Sequence, residues 1–182
     1  MRAVKICLAM VLLLLALPAQ LQTQTDIAAA RRFVQGFYRW YEGVVQAEHR
    51  GPAWAVAVQQ KPALFSPQLL GALRDDLAAQ AKAEGELVGL DTDPFLNAQD
   101  PEGAYALGKV TRHGSHLHIA IHGIRDGKKD ASPAVIAEVA PYRDSWRFVN
   151  FRLPQGDDLL GTLAALRRER HMNGQPSTTL SQ

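Results

Sequence analysis

Three groups of side chains have the types and spacing that chemistry needs. The first is His116, His118 and His122. Their even spacing on an extended strand puts them on one face, opposite Leu117, Ile119 and Ile121. A His-x-His pair on a strand can converge on zinc or copper, which makes His116 and His118 the candidate metal ligands. Two ligands are too few for a tight zinc site, and His122 lies too far along to add a third without curvature. The expectation is a solvated polar face with neither metal nor cofactor.

The second group fills residues 89–101, Gly-Leu-Asp-Thr-Asp-Pro-Phe-Leu-Asn-Ala-Gln-Asp-Pro. Asp91, Asp93, Asn97, Gln99 and Glu102 follow the ligand spacing of a calcium loop. Pro94, Phe95 and Leu96 interrupt it, however, and Leu96 stands where the tight turn needs glycine. A structural loop is expected instead, comprising Asp91, Asp93, Phe95, Asn97 and Asp100. In it Asp93, Asn97 and Asp100 bond backbone amides while Phe95 plugs the core. The third group, Arg125, Lys128, Lys129, Tyr142 and Arg143, falls in two loops and is the candidate partner-binding surface.

Tyr38, Trp40, Tyr41 and Trp54 can either line a ligand pocket or form core, and their helical spacing favours core. The tyrosine hydroxyls then need partners, for which the carboxylates of the 89–101 loop are suited. No Ser/His/Asp arrangement or Gly-rich phosphate loop is legible, and no catalytic residue is assigned. The one cysteine, Cys7, lies in the N-terminal segment, so no disulfide or thiol nucleophile is expected beyond it.

These groups need a scaffold. From Asp26 onward Ile27, Ala30, Phe33, Phe37, Trp40 or Tyr41, and Val44 recur at helical steps, and Gly36 is expected to admit a neighbouring backbone. Residues 54–58 are ambiguous between a short strand and an entry turn. Ser66-Pro67 starts a helix with the stripe Leu69, Leu70, Leu73, Leu77 and Ala81; Asp75 and Asp76 are assigned to its solvated side and Gly85 to its end. Four strands are expected at 104–112, 116–123, 134–140 and 146–153, with a hairpin loop at 125–129 and a loop at 141–145. A helix over 159–170 closes the domain. The fold class is therefore α+β, with N-terminal helices packed on a curved four-stranded antiparallel sheet and a C-terminal helix.

Residues 1–19 read as a signal peptide: Arg2 and Lys5 precede the apolar run 6–17, and a cleavage point follows Ala19. Residues 20–25 form a polar leader, 26–170 the single domain and 171–182 a disordered tail. The precursor's formal charge of +2 vanishes when Arg2 and Lys5 leave, which argues against nucleic acid or membrane as partners of the cleaved chain. The expected location is the periplasm.

Several stretches carry a family likeness. Phe37-Tyr38-Arg39-Trp40-Tyr41, Phe65-Ser66-Pro67, residues 91–100 and Trp146-Arg147-Phe148-Val149-Asn150-Phe151 resemble a family of small secreted bacterial domains of unknown function, the YbjP/YqhG type. The likeness covers residues 26–166, with the Asp-Pro-Phe loop as its most specific part. It implies a cone-shaped fold similar to nuclear transport factor 2 and cystatin-like domains, and it supplies no catalytic residues. Some small secreted domains of this kind are similar to immunity proteins. The functional expectation is thus a non-enzymatic periplasmic protein that blocks an exported toxin by stoichiometric binding. The alternative is a small-ligand-binding or enzymatic domain that uses a central cavity.

Overall fold

The computed structural model describes residues 2–83, 88–99, 101 and 103–173, with backbone alone for 2–23 and 173. Gly85, Asp100, Glu102 and residues 174–182 of the expected tail lie outside the described residues, whereas residues 171–173, also assigned to that tail, are helical. Helix α1 (Arg2–Gln46) runs without a break through residues 20–25. Its buried face is Ala30, Val34, Phe37, Tyr38 and Tyr41, at the three- and four-residue steps of one helical side. Gly36 does not admit a neighbouring backbone: a Cβ built there would meet no atom within 4 Å.

Residues 54–58 are neither strand nor entry turn but the body of helix α2 (Ala53–Gln60), preceded by Pro52 in extended geometry. Ala53, Ala55 and Ala57 favour helix, and Trp54, Ala57 and Val58 bury one side of it. A run this short cannot be resolved by periodicity alone. After a single 3₁₀ turn at Pro62–Leu64, helix α3 (Pro67–Gln80) starts as its sequence dictates. Ser66 Oγ accepts the Leu69 N–H at 3.2 Å, and Pro67 occupies the first turn.

Five strands follow: β1 (Tyr105–His113), β2 (His116–Arg125), β3 (Lys128–Lys129), β4 (Val135–Tyr142) and β5 (Ser145–Arg152). The antiparallel order is β1-β2-β4-β5, with the two-residue β3 paired to the end of β2. The fifth strand arises because Asp126 (φ 51°) and Gly127 (φ 71°) close a tight turn inside the stretch expected as loop. The loop at 141–145 likewise shrinks to two residues, since Tyr142 pairs with Ser145. Bulges in β1 between Leu107 and Val110, and at Glu138/Val139 in the β4–β5 pair, bend the sheet around the helices. The outer edge of β5 is covered where Ser66 N–H donates to Phe148 O at 2.8 Å. Helix α4 (Leu159–Asn173) buries Leu159 and Leu163.

Rings fill the space between α1 and the sheet. Phe37 lies 4.8 to 6.1 Å from Tyr38, Trp40, Tyr41, Phe65, Phe95 and Phe148, centroid to centroid. Phe95 is fully buried among Phe37, Tyr41, Phe65 and Phe151.

The assignment of Asp76 to the solvated side is wrong. It is fully buried and receives Arg170 Nη1 at 2.7 Å, Gln80 Nε2 at 2.9 Å and the Leu90 N–H at 3.0 Å. The arginine comes from α4, ninety-four residues away in sequence, so nothing local marks the aspartate as internal. The same guanidinium nitrogen donates to Val88 O at 2.9 Å, joining α3, α4 and the start of the 88–99 loop at one point. Asp75 remains exposed, with Arg167 at 3.5 Å.

Candidate functional site

The 89–101 loop is tied to α1 through Asp93. Its Oδ1 accepts the N–H groups of Phe95 (2.9 Å) and Leu96 (3.2 Å), and its Oδ2 accepts the Tyr41 hydroxyl. The Tyr38 hydroxyl donates to Phe95 O at 2.7 Å. Burial raises the Asp93 carboxyl to about 6, although these three donors pull the other way, because all are neutral. Burial first, and the charge of Asp93 second, push both phenols well above their usual value. Asn97 takes a left-handed turn (φ 51°) and sends its amide to Ala134 O at 3.2 Å; it donates to the carbonyl just before β4, in place of the expected bond to a loop amide. Asp91 is exposed. With Asp93, His49, Trp54, Leu90 and Gln99 it lines a surface cavity of about 410 Å³.

The outer face of the sheet holds a second arrangement. Leu117, Ile119 and Ile121 are fully buried on the helix side, so the histidines do take the opposite face. That face is not simply solvated. Glu138, cross-strand to His118, has its side chain only 8% exposed. His116 Nδ1 lies 2.6 Å from its Oε1, while Arg152 Nε (2.8 Å) and His118 Nε2 (3.7 Å) approach its Oε2. Burial alone would raise the Glu138 carboxyl. The bonds to His116 and Arg152, with the charge of Arg152, outweigh burial and hold it below the usual carboxylate range. Burial lowers His118, against the attraction of Glu138, and its ring stacks on His113 at 4.1 Å. His122 turns away, its Nδ1 2.8 Å from Asp130 O, and Gly108 leaves room for the ring: a Cβ there would stand 2.4 Å from Nε2.

His116 and His118 therefore converge on a carboxylate. Among the described residues no group of three or more His, Cys, Asp or Glu side chains is placed to hold a metal ion. Sequence spacing missed Glu138 and Arg152, whose signal is cross-strand: His118, Glu138 and Asn150 share one row, and Arg152 pairs the residue two before Glu138.

The candidate partner-binding residues divide. Arg125, Lys128 and Lys129 sit at one end of the sheet, where β2 turns into β3. Tyr142 and Arg143 sit at the other, because Leu117, near the start of β2, pairs with Val139, near the end of β4. The register separates the two sets by on the order of 30 Å at about 3.3 Å per strand residue. The Tyr142 end is built up. Arg147 Cζ lies 3.3 Å from the Tyr142 ring centroid and Arg143 Cζ lies 5.2 Å from it. Arg147 is fixed by its Nε, which donates to Ala63 O at 3.2 Å, and Arg143 takes φ 51°, a left-handed geometry unusual for arginine. Tyr142 is 37% exposed.

Among the described residues no helix is long and apolar enough to cross a membrane. No family model matches the chain, and neither the curated proteins nor the solved structures include a match to it.

Proposed function

We propose that this chain is a non-catalytic protein that blocks a partner protein by stoichiometric binding. The partner class is the one implied by the family likeness of residues 26–166, an exported bacterial toxin. The observation that carries the reading is the β4–β5 corner, an exposed tyrosine clasped by two guanidiniums on a rigid hairpin. Tyrosine and arginine dominate the energetics of protein interfaces, and a tip held by its own packing loses little freedom on binding. The interior supports the same reading, because aromatic rings occupy the space that a ligand would need.

The test is Tyr142→Ala with Arg147→Ala in a tagged chain, assayed for partner capture from the periplasmic fraction and for protection of cells against the captured protein. The expected outcome is capture weakened by about thirtyfold or more, as for an interface hot spot, with the thermal midpoint unchanged. Undiminished capture and protection would exclude the corner. We also propose export with cleavage after Ala19, which mass spectrometry checks as a mature chain beginning at Gln20; a Met1 chain in the cytoplasm would refute it. A second reading has one observation in its favour. The cavity beside Asp93 places a carboxyl with a pKa of about 6 at its wall, as a small-ligand or enzymatic site would need. Turnover of any small molecule that is lost in Asp93→Asn would favour it over the binding role.

A further inference from the structure

α1 carries a second basic surface, remote in sequence from the β4–β5 corner. Arg31, Arg32, Gln35, Gly36 and Arg39 line an open groove of about 360 Å³ with Leu107 of β1, and none of these lining residues is acidic. Arg31 is committed to the wall, its Nη1 donating to Gly108 O at 2.8 Å. Arg32 and Arg39 are exposed, and neither belongs to an ion pair among the described residues. They stand seven residues apart on α1, which places them on one face about 10 Å apart along the axis.

Gly36 lies between them on that face. Glycine inside a helix costs about 1 kcal/mol relative to alanine. Packing offers no return, since a Cβ would meet nothing within 4 Å and φ is not in the left-handed region. What the missing side chain does is keep the groove floor low between two free guanidiniums.

We propose that this groove docks an acidic helical segment of a protein partner, with two carboxylates seven residues apart meeting Arg32 and Arg39 and the helix backbone passing over Gly36. The charge of the groove calls for an acidic occupant, and the axial spacing of the two arginine positions, about 10 Å, equals that of residues two turns apart on a partner helix. The proposal rests on the reading that the chain works through a protein partner, and it adds a surface of defined chemistry to that reading.

The experiment titrates a fluorescein-labelled, Ala-rich helical peptide of about 20 residues, bearing two Glu seven apart, with the full chain. Binding should weaken by about tenfold or more for Arg32→Glu with Arg39→Glu, for Gly36→Gln, and for the peptide with both Glu changed to Gln. Gly36→Gln should not lower the thermal midpoint and should raise it slightly, because it removes glycine's helical cost and its side chain enters open space. Gly36→Ala is a second variant that should stabilise the helix by about 1 kcal/mol, and it should weaken binding to a smaller degree. Equal affinity of Gly36→Gln and wild type, with the variant's thermal midpoint not lowered, or equal affinity for the Glu and Gln peptides, would overturn the proposal. So would displacement of the peptide by inorganic phosphate binding one anion per chain. Tyr142→Ala with Arg147→Ala should leave peptide binding unchanged. Loss of peptide binding with corner-dependent partner capture intact would sink the groove alone, and the converse would sink the corner alone.

Discussion

Asp93 lies on the helix side of the sheet among neutral donors, whereas Glu138 lies on the outer face beside a guanidinium and two imidazoles. Both carboxylates are largely withdrawn from water and both are fully hydrogen-bonded, yet they titrate in opposite directions. Around Asp93 a phenol and two peptide N–H groups satisfy the oxygens but bring no charge, so burial wins and favours the proton. Around Glu138 the Arg152 guanidinium and the His116 imidazole reverse the balance and favour the anion. Satisfying a carboxylate's hydrogen bonds and stabilising its charge are thus separate tasks. Asp93 is suited to a dry structural joint at neutral or protonated charge. Glu138 is suited to fixing the basic side chains of a solvent-facing surface.

The largest effect should come from the helix side. Phe95 touches four other rings and has no exposed surface, so Phe95→Ala should cost about 3–5 kcal/mol, the range for core phenylalanines. Urea denaturation measures it. Coincident midpoints for mutant and wild type would mean that the loop hangs outside the core and that Asp93 has no dry environment to explain.

Next comes Asp93 itself. Its folded pKa, about 6, lies above the ordinary 3.8. Its contribution is therefore fully present below pH 3.8 and is lost as pH rises through 6. Asp93→Asn has no such titration. The stability of wild type relative to Asp93→Asn should fall by roughly 3 kcal/mol between about pH 4 and pH 7, from a shift of about two units. Urea midpoints for both proteins at the two pH values test this. A constant difference would remove the contrast with Glu138.

The two regions were not equally legible in the sequence. The helix side follows from periodicity, because burying one face of a helix or strand leaves a record in adjacent residues: Phe37, Tyr41, Leu69 and Leu73 mark the helices, and Leu117, Ile119 and Ile121 the central strand. Phe95 announces itself as the one aromatic residue in a polar, proline-bounded loop. The outer face leaves no local record. His118 meets Glu138 twenty residues on and Arg152 a further strand away, a juxtaposition set by register and by a bulge. For the same reason, basic residues close in sequence at 125–129 and 142–143 could be read as one surface although they occupy opposite ends of the sheet. Asp76 was misread because its partner lies on the last helix.

The smallest expected effect is also the one that fixes the sign of the comparison. Glu138→Gln keeps the shape of the side chain but removes the charge that Arg152 and His116 face. Among the described residues Arg152's remaining carboxylate partner is then Asp158, at 3.8 Å. Because Arg152 and His116 are each 39% exposed, water compensates much of the loss, and the cost at pH 7 should be about 1–2 kcal/mol. A carboxyl held below 4.5 contributes stability that is present above 4.5 and is lost as pH falls through its lowered value. The gap between wild type and Glu138→Gln should therefore close in acid, and it should narrow in high salt, which screens the exposed partners. For Asp93→Asn the change should come instead between pH 3.8 and 6, with wild type losing ground as pH rises. Thermal or urea midpoints of the three proteins from about pH 3 to pH 8 suffice to see both limbs. If wild type gained on both variants as pH rose through the same range, the two carboxylates would share one electrostatic environment, and a guanidinium on one face with neutral donors on the other would no longer account for them.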